Sequence, residues 1–189
     1  ITALINDEYF CEEIAGMMRL SLKKIVSCAP AMLRREEAAV GTVAEGLVLS
    51  GIAMAFAKIS RPASGLEHYF SHLWEMFSLD RGLPTELHGI QVGVGTLLCL
   101  EIYEKLKQMT PDESVFAAAC SRWNEDEWAR EMRRIFGRTA EGLIGKEKTI
   151  WHNNDGEERK IRFERIRDCW PQLKSIMAEE LPALDEIAA

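Results

Sequence analysis

The sequence predicts an all-α fold. Apolar residues recur at three- and four-residue spacing over almost the whole chain, no alternation lasts long enough for a strand, and proline, glycine and capping residues divide the pattern into helix-sized pieces. The first helix is expected over 7–28, ending before Pro30, and the second over 35–59, ended by Pro62. A third is expected over 64–77, opened by Ser64-Gly65-Leu66-Glu67, which has the S-x-x-E form of a capping box. Asp80, Arg81, Gly82 and Pro84 make a turn, and Thr85 is the expected N-cap of a long helix reaching Met109, closed by Pro111 and Asp112. Shorter helices are expected over 113–122, 125–136 and 138–147, then a polar turn at Asn153-Asn154-Asp155-Gly156. A last helix is expected over 157–180, with Pro171 interrupting or kinking it. No long-period repeat is present, so the chain is not a solenoid.

Composition narrows the function. The 189 residues fit one large domain or two small ones, read as a single helical domain, and 47% hydrophobic with 28% charged residues is a soluble, globular balance. The net charge of −7 argues against nucleic acid as a partner, because phosphate binding needs a concentrated basic surface. The five cysteines, Cys11, Cys28, Cys99, Cys120 and Cys169, form no CxxC and are odd in number, which points to a reducing, cytoplasmic setting and to small buried hydrophobes. No signal peptide opens the chain. The stretch 40–57 is apolar, but three glycines and Glu45 fit a buried helix better than a membrane span.

The chain changes character near residue 110. The first 110 residues hold 10 basic and 13 acidic residues, and the last 79 hold 13 and 17. Nine of the 13 glycines fall in the first part, several inside apolar helices (Gly41, Gly46, Gly51, Gly89, Gly93, Gly95). Glycine weakens a helix, so such a cluster suggests that something approaches the backbone closely. The division expected is therefore 1–110 for site-bearing helices and 111–189 for peripheral charged helices.

Three of the four histidines, His68, His72 and His88, lie within 21 residues of one another in the glycine-rich part. His68 and His72 are four apart on one predicted helix, so their rings leave the same face and can hold a metal, or place one ring on a metal and one on a substrate. His88 falls in the first turn of the next helix, where the dipole favours the neutral, metal-competent ring. The same pattern also suits partly buried histidines satisfied by hydrogen bonds. Glu67 reads as the cap partner of Ser64. The stretch Gly89-Ile90-Gln91-Val92-Gly93-Val94-Gly95 lacks the G-x-G-x-x-G order and a preceding strand, so it reads as a helix kept thin for packing and not as a phosphate loop. His152 is expected to be exposed beside the polar turn. Trp123, Trp128, Trp151 and Trp170 suit packing of the C-terminal helices or a subunit contact, with packing favoured. No Gly-x-Ser-x-Gly nucleophile context occurs.

At Ser60-Arg61-Pro62-Ala63-Ser64-Gly65-Leu66-Glu67-His68-Tyr69-Phe70-Ser71-His72, followed by His88-Gly89-Ile90-Gln91-Val92-Gly93-Val94-Gly95-Thr96, the chain resembles the sn-glycerol-1-phosphate dehydrogenases. These belong to a larger group with the iron-containing alcohol dehydrogenases, glycerol dehydrogenase and dehydroquinate synthase. Tyr9-Phe10-Cys11-Glu12-Glu13 resembles its bacterial members, and the resemblance covers roughly residues 1–110. It implies the C-terminal helical domain of a two-domain, homodimeric or otherwise oligomeric oxidoreductase of phospholipid metabolism. The N-terminal α/β domain of such enzymes binds NAD(P)H and is absent from the 189 residues.

By the same resemblance His68 and His88 are metal ligands for zinc, nickel or iron. His72 is the catalytic histidine facing nicotinamide and substrate, and Arg61 and Ser64 face a phosphorylated substrate. The reaction implied is reduction of dihydroxyacetone phosphate to sn-glycerol 1-phosphate, with the metal as Lewis acid. The group's third ligand is an aspartate that precedes the segment matched by Tyr9 to Glu13. Asp7 sits too near that segment, so the ligand is expected before Ile1, and the chain alone is expected to bind metal weakly and to be inactive. Two other readings are carried: a dehydroquinate synthase or other polyol or alcohol dehydrogenase on the same scaffold, and a stand-alone helical interaction module whose histidines are structural.

Overall fold

A computed structural model describes residues 1–184 and 187, and every regular element among them is helical. In chain order the helices are α1 (Thr2–Asn6), α2 (Glu12–Ser27), α3 (Ala29–Leu33), α4 (Glu37–Ala57), α5 (Leu66–Arg81), α6 (His88–Lys107), α7 (Glu113–Ser121), α8 (Glu125–Phe136), α9 (Ala140–Lys146), α10 (Gly156–Asp168) and α11 (Trp170–Glu180). Short 3₁₀ turns lie at Arg61–Ala63 and Gly137–Thr139, and a π turn at Glu147–Trp151. The chain divides into two compact units, one of Tyr9–Gly65 and one of Ile1–Glu8 with Leu66–Ala189. The change of charge density at residue 110 falls inside the larger unit, between α6 and α7.

In the smaller unit α2 packs on α4, and α3 and the Arg61–Ala63 turn pack beside α4. The helices meet where Gly46 offers no side chain: a Cβ there would overlap Ile25 and stand 3.0 Å from the Ser21 hydroxyl oxygen. Ser21 is buried under this contact. The expectation of a buried helix at 40–57 is corrected here. Only Ala39, Gly46 and Ala53 of α4 are buried, while Val40, Leu47, Val48, Ile52 and Phe56 are exposed. Its apolar residues lie all round the helix, and its neighbours cover only a stripe of small residues. By length and composition α4 could also cross a membrane.

In the larger unit α5 and α6 form an antiparallel pair, and α11 packs on α6 through a helix that buries Leu173 and Met177. Ala129, Ala140 and Ile144 of α8 and α9 form a small core, with Trp128, Met132 and Phe136 against it. Trp128 therefore serves packing, as does Trp123, whose ring lies tilted 6.0 Å from it and carries the Arg159 guanidinium 5.4 Å above its face. Trp170 donates its indole N–H to the Met109 carbonyl (3.1 Å).

Helix ends follow side-chain caps where these exist. Asn124 accepts from the Glu127 amide, Asp112 from those of Ser114 and Val115, and Asp155 from those of Glu157 and Glu158. Several boundaries differ from expectation by a few residues, and the five-residue helices α1 and α3 stand where none is expected. The helix expected from residue 7 begins at Glu12, because Asp7 is left-handed and closes α1 instead. The interruption expected at Pro171 is found: the last helix is two, α10 and α11, broken at Cys169 with Pro171 in the first turn of α11, where a missing N–H costs nothing. Thr85 does not cap α6; Leu87 occupies that position.

Candidate functional site

The antiparallel pair α5–α6 brings the three histidines together. The His68 and His88 ring centroids lie 5.3 Å apart, and His72 stands 6.1 Å from the first and 6.3 Å from the second. Residues 68, 71, 72 and 75 leave one face of α5, and 88, 91 and 95 leave the facing side of α6. The pair can approach because Gly95 has no Cβ. A methyl there would stand 2.7 Å from the Glu67 main-chain carbonyl oxygen, and that backbone has no rotamer by which to yield. The expectation that helix glycines mark close approach therefore holds at Gly46 and Gly95. Gly41, Gly51, Gly89 and Gly93 have open space where a Cβ would be.

Each of two histidines meets a carboxylate through Nδ1. His68 Nδ1 lies 2.7 Å from Glu67 Oε1, and His88 Nδ1 lies 3.0 Å from both Glu75 Oε1 and Ser71 Oγ. A carboxylate only accepts, so Nδ1 carries a proton in both rings, and in the neutral form of each ring Nε2 keeps its lone pair. His72 is exposed and has ring contacts only among the described residues. Glu67 also bears on α6. Burial, and then the Cys99 and Glu67 charges, push the Tyr103 hydroxyl up, and burial followed by Glu67 pushes up the Cys99 thiol. All five cysteines are free.

The metal implied by the sequence can be tested against these rings. Two imidazoles bound through nitrogen to one tetrahedral ion at about 2.0–2.1 Å hold their centroids about 5 Å apart. His68 and His88 meet that spacing, and His72 stands too far from either to share the ion. Two nitrogen donors backed by carboxylates fit a divalent cation. Among the described residues no three His, Cys, Asp or Glu side chains converge closely enough to hold an ion between them, so Asp7 adds no third donor. Arg61 and Ser64 belong to the smaller unit, Arg61 exposed in the 3₁₀ turn and Ser64 extended just after it. His152 is exposed, left-handed, and remote in sequence from the other three.

Sequence reasoning missed Ser71, Glu75 and Gln91. Ser71 and Gln91 are the buried polar residues of the α5–α6 contact. Their signal was present: polar side chains at helical spacing from the histidines, on faces where apolar residues would be expected.

No family model matches the chain, and no solved structure matches it. Curated relatives do. It is 36% identical over 104 residues to a protein of Halalkalibacterium halodurans, covering 55% of this chain and 26% of the relative. It is 36% identical over 118 residues to one of Methanosarcina barkeri, covering 58% and 32%, and 42% identical over 95 residues to one of Thermococcus sibiricus, covering 50% and 26%. All three are named glycerol-1-phosphate dehydrogenase (NAD(P)+). The match spans about a quarter to a third of the relatives' length.

Proposed function

We propose that the chain is the helical, metal-binding and substrate-facing part of an NAD(P)-linked glycerol-1-phosphate dehydrogenase, which in its complete form reduces dihydroxyacetone phosphate to sn-glycerol 1-phosphate. The observation that carries this is the His68–His88 pair. Two rings at metal-sharing distance on facing helices, each with a carboxylate on Nδ1, occur in a chain whose curated relatives carry that name.

In this reading His68 and His88 hold a divalent zinc, nickel or iron ion through Nε2. When bound, the ion supplies Lewis-acid polarisation of the substrate carbonyl. The other duties belong to the chain's own side chains. His72, exposed and outside ligand distance, meets the reacting end of the substrate and can hold or deliver a proton at the oxygen that becomes the alcohol. Arg61 and Ser64 bind the phosphate, the guanidinium by charge and paired hydrogen bonds and the hydroxyl by a single one. The third metal ligand and most contacts to NAD(P)H come from a cofactor domain, and the protein works in the cytoplasm as an oligomer, with no membrane span and no nucleic acid.

The test is reduction of dihydroxyacetone phosphate by the complete protein, followed as loss of NADH or NADPH absorbance. Activity should vanish on exhaustive chelation, return with a divalent metal, and fall steeply in His68→Ala. Full turnover after chelation, or in His68→Ala, would refute the reading.

A further inference from the structure

Beside the rings lies a buried chain of hydrogen bonds whose direction is determined at each link. The Glu86 carbonyl can only accept, so the Gln91 side chain presents its Nε2 to it (3.1 Å) and turns its Oε1 the other way. Ser71 lies 3.1 Å from that Oε1 and has one hydroxyl hydrogen, which it donates there. Towards His88 Nδ1, 3.0 Å away, the Ser71 oxygen can then only accept. Glu75 approaches the same nitrogen at 3.0 Å and also only accepts. Two independent acceptors therefore face one ring nitrogen.

The location matters as much as the direction. Ser71 is wholly buried and Gln91 is 6% exposed, so the bond between them is closed to water. The His88 side chain is 51% exposed, which leaves the ring accessible to an ion. Serines inside helices ordinarily return their hydroxyl to the carbonyl one turn back; Ser71 spends its hydrogen on the neighbouring helix instead.

We propose that Gln91 and Ser71, together with Glu75, are positioning residues that hold His88 in its Nδ1–H form and so keep Nε2 as its donor nitrogen. The proposal rests on the reading of His88 as ligand to a divalent cation. Gln91 acts at two removes, through Ser71, and touches neither metal nor substrate. Loss of the lock lets the ring take either tautomer, and every molecule with the proton on Nε2 must give it up or rearrange before binding.

The experiment reads tautomer and affinity separately in the complete protein. Long-range ¹H–¹⁵N spectra of the metal-free protein, recorded well above the ordinary histidine value of about 6.5, distinguish the protonated from the bare ring nitrogen. The wild type should show His88 protonated at Nδ1 alone. In the double variant Gln91→Met/Glu75→Ala both forms should appear and zinc affinity, by competition with a chromophoric chelator, should fall about 10–100-fold. Each single variant, Gln91→Met or Glu75→Ala, should keep most of both readouts because one acceptor remains, and a Glu75→Ala variant as impaired as the double would overturn the part assigned to Gln91 and Ser71. Ser71→Ala/Glu75→Ala tests the same lock with smaller core changes should the methionine impair folding. A wild-type His88 protonated at Nε2, or double variants with wild-type tautomer and zinc affinity, would overturn the lock. Unchanged zinc affinity in His88→Ala would instead overturn the metal reading beneath it.

Discussion

Gly95 on α6 lies directly against the main-chain carbonyl of Glu67 on α5, at the turn that carries His68. A Cβ at 95 would stand 2.7 Å from that oxygen, whereas one at Gly93, two residues earlier on the same helix, would meet nothing within 4 Å. The two glycines cost α6 a similar amount of intrinsic stability, so alanine at either position gains about 1 kcal/mol of helix propensity. At 95 overpacking against rigid backbone opposes this by about 1–3 kcal/mol and pushes the Glu67–His68 turn aside. Gly95→Ala should therefore lower the thermal midpoint and weaken metal binding, while Gly93→Ala raises the midpoint of this chain. Calorimetry of the two variants checks the pair, and equal shifts of one sign would contradict the packing.

The existence of the longer helices was legible from the sequence because it depends on local chemistry, while that of the five-residue α1 and α3 was not. The bounds of α8 match expectation to the residue, since Asn124 caps it, acidic residues fill its first turn and Gly137 follows its last. The start of α6 was not legible. Thr85 had the right residue type, but Leu87 takes the cap position, with its amide bound by the Glu86 carboxylate and the Glu86 carbonyl by Gln91 from inside the helix. The π turn at Glu147–Trp151 was hidden for a similar reason: the buried Glu147 carboxylate accepts from the Asn153 side chain and the Asn154 amide, a closure that no spacing rule anticipates. The histidines could be named beforehand because their residue type is scarce. Their carboxylate partner at Glu75 could not, because it becomes a partner only once α5 and α6 face each other.

Cys99 should be the slowest of the five cysteines to alkylate in the native chain. It is the one buried thiol, and burial, reinforced by the Glu67 charge, pushes it up, so the reactive thiolate is scarcer there than at an ordinary cysteine near pH 8. Timed iodoacetamide labelling read by mass spectrometry should show Cys11, Cys28, Cys120 and Cys169 modified first. Early labelling of Cys99 would mean that α6 opens more readily than its packing implies.

Acid should loosen α7 through Asp112. Its carboxylate accepts from the Ser114 hydroxyl (2.5 Å) and from the Ser114 and Val115 amides, which hold it below the usual aspartate value. A lowered native value means stability that is fully present above the unfolded-chain value of about 3.9 and lost as pH falls through the lower native one. Amide exchange at Ser114 and Val115 should therefore accelerate across that interval. In Asp112→Ala both amides should exchange quickly at every pH, and a wild-type protection profile in that variant would exclude the cap as the cause.

The proposed roles of the three histidines differ in what their ring spacing allows. His68 and His88, 5.3 Å apart, can share one tetrahedral centre, while His72 at 6.1 and 6.3 Å cannot join them. Removing a ligand takes away one of the two imidazoles, so His68→Ala and His88→Ala should each weaken cobalt(II) binding by the complete protein on the order of 100-fold or more, beyond the 10–100-fold expected for an outer partner. His72→Ala should leave cobalt affinity within about threefold of wild type, because it removes no donor, and yet abolish most turnover in the complete enzyme by removing the proton-bearing group at the substrate. Cobalt titrations followed by visible absorbance provide the comparison. Equal losses across all three variants would place His72 in the ligand set and require α5 to rotate on binding.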